Sequence, residues 1–127
     1  MNFTLWIVQI ILAINFIFHG FIKLNVPADL PPMLLWINDL SPGMRSFIGI
    51  VELLGAAGLL LPALTRIQPR LTPLAALGLA VVMVLAAIWH ITRMEYLEIA
   101  GNVIFFLLAA FAAYGRWRLK PIEPRSG

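Results

Sequence analysis

Apolar positions dominate four stretches of this chain, roughly Phe3 to Leu24, Pro42 to Leu61, Pro73 to Ile91 and Leu97 to Tyr114, with charged residues gathered mainly between them. Each stretch reaches or approaches the ~20 mostly apolar residues that carry a helix across a hydrocarbon core. The pattern predicts an all-α protein: a transmembrane four-helix bundle making one membrane domain of residues 1–127. Inside the first stretch, "ILAINFIFHGFIKL", the polar residues Asn15, His19 and Lys23 recur at i, i+4 and i+8, so a helix gathers them on one face.

Local signals sharpen the boundaries. Asn25 and Pro27 stop the first helix, Ser41-Pro42 reads as an N-cap followed by proline in the first turn, Pro62 is expected to end the second helix, and Thr72-Pro73 repeats the cap for the third. The flank "MNFT" has no lysine or arginine and no small-residue cleavage site follows the apolar run, so the first helix is expected to be retained rather than removed as a signal peptide.

Composition agrees with a membrane protein. Of the 127 residues 61% are hydrophobic and 12% charged, and the mean hydropathy is +0.94, well above the soluble range. The cations Arg66, Arg70, Arg116, Arg118, Lys120 and Arg125 fall in the second connection and the tail 115–127, whereas Asp29, Asp39, Glu95 and Glu98 accompany Arg45 and Arg93 in and around the other two connections. The positive-inside rule then predicts both termini on the cytoplasmic side, with Trp6, Tyr114 and Trp117 at the inner interface and Trp89 and Tyr96 at the outer one. This topology, with attraction of the tail to anionic membrane lipid, accounts for a pI near 10.0 without nucleic acid, for which no basic patch interleaved with aromatics is present. The chain has no cysteine, which excludes disulfide relays, thiolate nucleophiles and cysteine-ligated clusters within it.

Depth then relates the polar residues to one another. With the N-terminus inside, Lys23 lies near the outer interface, His19 about 6 Å deeper and Asn15 about 6 Å deeper again, while Glu52 sits about 15 Å down the second helix. His90 and Arg93 close the third helix, and Glu98 and Asn102 open the fourth. All four helices thus contribute polar groups to the outer half, whereas the inner halves read "AAGLLL", "LAALGLAV" and "FFLLAAFAA" without an ionisable group. This asymmetry predicts one polar cavity opening outward. Small residues, Gly49, Gly55 and Ala56 near Glu52, Ala86 and Ala87 near His90, either leave room for a ligand or let helices approach closely.

A lone carboxylate at this depth has to be neutral, paired or wetted, since an unpaired charge in hydrocarbon costs at least about 2.5 kcal/mol. Its available partners are His19, Lys23, His90 and Arg93. Two imidazoles beside a carboxylate form a proton-handling set, with Glu52, His19 and His90 as candidate catalytic groups and Asn15, Lys23, Arg93, Glu98 and Asn102 as candidate ligand contacts. Such a set suits a quinone, whose carbonyls take up and release protons while its apolar tail lies between helices. Competing structural roles are interhelical hydrogen bonding by Asn15, Asn102 and Gln9, and snorkelling of Lys23, Arg45 and Arg93 to headgroups. Zinc or iron is disfavoured because Lys23 and Arg93 would repel a dication, and a haem held between His19 and His90 is likewise disfavoured. The first connection, residues 25–41, holds the short apolar "MLLWI", with Trp36 as the anchor of a lid over the cavity or of an ordinary interfacial loop.

The segments "FIFHGFIKL", "RSFIGIVELLGAAGLLLP" and "IWHITR", in that order over about residues 5–115, resemble the DoxX-like family of small four-helix membrane proteins. The resemblance implies polar family positions at His19, Gly20 and Lys23, at Glu52 with Gly55, and at His90. It also implies a bacterial inner membrane and a role as a quinone-linked oxidoreductase subunit or member of a membrane complex, including thiosulfate:quinone oxidoreductase and complexes of oxidative-stress defence. The chain has no cysteine to handle thiosulfate. The functional expectation is binding of a lipophilic molecule, a quinone first, with a partner subunit supplying electrons. The alternative is a scaffold or assembly factor whose polar cluster fixes helix packing. A proton path is disfavoured by the apolar inner half, and glycine-rich faces are compatible with a homodimer.

Overall fold

A computed structural model describes residues 1–125. Four helices, α1 (Asn2–Leu24), α2 (Pro42–Thr65), α3 (Leu71–Thr92) and α4 (Tyr96–Tyr114), are each long and apolar enough to span a membrane, α4 with the help of a π-turn at Gly115–Leu119. A short 3-10 helix, Pro32–Asp39, lies in the first connection, and there is no strand among the described residues. The helices form a closed ring in which α1 packs on α2, α2 on α3, α3 on α4 and α4 on α1. The core is filled by Leu12, Phe16, Leu59, Leu79 and Met83 between alanines of every helix. Large side chains such as Ile14, Leu54, Leu85 and Leu107 point out of the bundle, the inverse of a soluble surface and the arrangement lipid requires.

Close approach of α1 to α2 depends on glycine. A Cβ on Gly20 would stand 2.8 Å from the Gly49 carbonyl oxygen, and one on Gly49 would stand 3.0 Å from the Gly20 oxygen and 3.1 Å from Lys23 Cβ. The two backbones touch at this level, which brings the Lys23 stem against α2.

Ser41 caps α2 as expected, its Oγ accepting from Met44 N–H at 3.3 Å. Two other boundary expectations are corrected together. Pro62 does not end α2, which runs on to Thr65, and Thr72 does not cap α3, which starts at Leu71 with Arg70 at the cap position. Proline has no N–H to give the carbonyl four residues back, here that of Gly58. Buried Thr72 fills the vacancy, its Oγ1 donating to the Gly58 oxygen at 3.1 Å. The next carbonyl, Leu59, accepts from Gln9 Nε2 at 2.8 Å. Pro62 is tolerated because neighbouring helices supply donors.

The N-terminal residues and the C-terminal segment as far as Arg125 lie at one end of the bundle. Arg116 Nη1 donates to Asn2 Oδ1 at 2.7 Å, and Arg125 N–H donates to the Arg66 carbonyl at 2.8 Å. The basic tail begins inside the fold: Gly115 and Arg116 are buried, the π-turn carrying Arg116 back against α1. The end of the bundle that holds Trp6 therefore contains a buried ionisable group.

Candidate functional site

The polar cluster lies at the end opposite the termini. Lys23 turns into the bundle rather than toward headgroups, and its Nζ meets Glu52 Oε1 at 2.6 Å. Both residues are buried, 4% and 2% exposed. Of the partners open to Glu52, Lys23 is the one it takes, because the Gly20–Gly49 contact sets the lysine stem beside α2 and the long side chain reaches back along the helix. Removing one partner of such a pair typically costs 3–5 kcal/mol, since the other charge is left buried.

The remaining groups gather around the α3–α4 turn. His90, 1% exposed, places Nδ1 3.0 Å from Glu95 Oε1. A carboxylate oxygen accepts, so a proton is assigned to Nδ1, which donates to Glu95. Arg93 donates from Nε to the same Glu95 oxygen at 2.7 Å and from Nη2 to Asp39 Oδ2, tying the 3-10 segment to this turn. Partial burial would raise the Glu95 pKa, but the hydrogen bonds from Arg93 and His90 and their charges outweigh it and hold the carboxyl below its ordinary 4.5.

Trp36 joins the two halves. Its ring lies 5.4 Å from Lys23 Nζ, stands edge-to-face with His90 at 4.7 Å between centroids, and meets Trp89 at 5.8 Å. The 3-10 segment is held there by Ile37, fully buried, and by the Asp39–Arg93 pair. Expected to line an open cavity, Lys23, Glu52 and His90 are instead packed inside the bundle. An apolar groove of about 190 Å³ lies between α3 and α4, lined by Met83, Ala87, Asn102, Val103 and Phe106.

Not every candidate joins the cluster. His19 is half-buried and edge-to-face with Phe18 at 5.5 Å, and neither it nor Asn15 makes a side-chain hydrogen bond among the described residues. Glu98 makes no ion pair among the described residues. With its amide oriented to satisfy both groups, Asn102 donates to the Glu98 carbonyl at 3.1 Å and accepts from Ala87 N–H at 3.2 Å, an α3–α4 link. Asp39 and Glu95 were treated in the sequence only as loop charges. Glu95 was legible in principle, because a turn as short as the one between α3 and α4 forces His90, Arg93 and Glu95 together; Asp39, 54 residues from Arg93, carried no local signal.

Chemically, Glu52 Oε2 and His90 Nε2 are without a hydrogen-bond partner among the described residues, and Lys23 and Arg93 supply positive charge beside them. Fold and cluster together define an integral membrane four-helix bundle with a buried charged cluster at one end. The DoxX-like family model matches residues 7–112, and the chain belongs to that family. No curated protein and no solved structure matches it.

Proposed function

We propose that this protein binds a lipophilic molecule with a carbonyl or hydroxyl head, a quinone first, and serves as the membrane subunit of a quinone-linked oxidoreductase. The observation that carries the reading is Trp36, one ring on a segment outside the spanning helices that contacts both Lys23, the ion-pair partner of Glu52, and His90. A head group displacing that ring would meet an imidazole nitrogen, a carboxylate oxygen and an ammonium. The apolar α3–α4 groove, which Ala87 lines three residues before His90, would take its apolar tail. His90, oriented by Glu95, exchanges the proton at Nε2, while Glu52 and Lys23 balance charge. These side chains move protons, so electrons come from a bound cofactor or a second subunit.

The test is retention of quinone by gently purified protein, read by mass spectrometry of the organic extract and by titration with a short-chain ubiquinone analogue. Wild type is expected to retain quinone, and His90→Ala and Glu52→Gln to bind about tenfold more weakly, the loss of one buried charged or polar contact. Variants that remain folded and bind the analogue as tightly as wild type would sink the proposal.

A second reading is favoured by the closure of the Lys23–Glu52 pair, at 2.6 Å and out of solvent. In it the cluster specifies helix packing and the protein is a scaffold or assembly factor. Glu52→Gln then lowers the melting temperature while ligand retention stays unchanged.

A further inference from the structure

Arg116, at the end that carries the termini, is the most unusual polar residue outside the cluster. It is 3% exposed and holds α1 and the C-terminal segment together, donating from Nε to Gln9 Oε1 at 2.6 Å and from Nη1 to Asn2 Oδ1 at 2.7 Å and the Lys120 carbonyl at 3.0 Å. Its guanidinium lies 5.5 Å from the Trp6 ring. All these acceptors are neutral. Among the described residues Arg116 has no carboxylate within ion-pair distance, and its Nη2, shut off from solvent, has no hydrogen-bond partner. An uncompensated buried charge with two idle N–H groups is costly, so an anionic acceptor is the missing component.

The space for one is adjacent. Arg116 lines a cavity of about 500 Å³ together with Asn2, Trp6, Arg66, Lys120 and Glu123. Three cations face one carboxylate there, and Arg66 and Lys120 are exposed, free to close on a ligand. The cavity sits where α1 begins and α2 ends, the level of lipid phosphates for a bundle of this length. Guanidinium is suited to phosphate because its planar fork matches two oxygens at once.

We propose that this cavity is a phosphate-recognition site in which Arg116 Nη2 and the side chains of Arg66 and Lys120 bind a phosphate monoanion, either the headgroup phosphodiester of an anionic lipid or free phosphate. The site stands apart from the Trp36 cluster and does not depend on quinone binding. A lipid headgroup there staples the N-terminus, the α2–α3 connection and the C-terminal segment.

The experiment is native mass spectrometry and thermal melting of the full chain in dodecylmaltoside, with added dioleoyl phosphatidylglycerol, dioleoyl phosphatidylcholine or inorganic phosphate. One phosphatidylglycerol per chain, with a raised melting temperature and on the order of tenfold weaker retention of phosphatidylcholine, whose choline meets Arg66 and Lys120, is expected. Inorganic phosphate raising the melting temperature equally would assign the site to the free anion; no effect of phosphate assigns it to lipid. Arg66→Asn/Lys120→Gln, at exposed positions, is expected to lose about tenfold in retention while folding normally. Arg70→Gln/Arg118→Gln, which removes the same charge at the same end outside the cavity, should bind as wild type. Failure of any anion to bind, equal retention of the two lipids, or equal losses in the two double variants would overturn the proposal.

Discussion

Glu95 receives Arg93 Nε and His90 Nδ1 on a single carboxylate oxygen, so one proton added there disturbs two bonds. Its folded pKa lies below the ordinary 4.5, which fixes the sign of the effect. The stabilisation is complete above the unfolded value and falls away as pH drops through the folded one. In detergent, the melting temperature of wild type is expected to exceed that of Glu95→Gln at neutral pH, and the gap to close as pH falls below 4.5. A gap that stays constant down to pH 3 would show that the carboxylate contributes nothing through its charge. At this scale the sequence is a partial guide. A buried acid among apolar residues identifies Glu52, and helical spacing identifies Lys23, because both are properties of one helix. Nothing local marks Arg116 as buried: six of the chain's cations fall in the second connection and the tail, and only the π-turn that folds one of them onto Gln9 and Asn2 separates it from the rest.

Among the elements, the α1–α2 pair is set by glycine and the α2–α3 pair by a proline and its replacement donor. Gly20→Ala would drive a Cβ into the Gly49 oxygen and Leu53 Cγ, both 2.8 Å away, whereas a Cβ on Gly78 meets nothing within 4 Å. Overpacking of this kind costs about 1–3 kcal/mol. Thermal unfolding in bicelles is therefore expected to show Gly20→Ala clearly destabilised and Gly78→Ala unchanged or raised. Equal behaviour of the two would refute the close contact. Helix existence was legible here, because hydropathy and length suffice for it. The continuation of α2 through Pro62 was not, because Gly58 loses its helical donor in α2 and recovers one from Thr72 of α3. A rule read along one helix sees the breaker and misses the repair.

For the whole molecule, four spans return the chain to the side where it began; Arg116 ties the C-terminal segment to Asn2, and Arg125 ties it to Arg66 in the α2–α3 connection. That end carries Arg66, Arg70, Arg116, Arg118, Lys120 and Arg125 against Glu123. The positive-inside rule predicts that it faces the cytoplasm. A C-terminal green fluorescent protein fusion is expected to fluoresce and an alkaline phosphatase fusion to stay inactive; the reverse pattern would invert the molecule and place the Trp36 cluster inside. The sequence by itself determined the number of spans and the helical class, because each follows from transfer free energies and periodicities of single segments, while the family resemblance rests on the short segments around His19, Glu52 and His90. Only the tertiary structure decided which polar groups meet: Lys23 with Glu52, Arg93 with Asp39 across 54 positions, Arg116 with Gln9 across 107. The reason is physical. In a low-dielectric interior a polar group takes the partner that helix contact brings within about 3 Å, and that contact is fixed by glycines, a proline and a π-turn acting between helices.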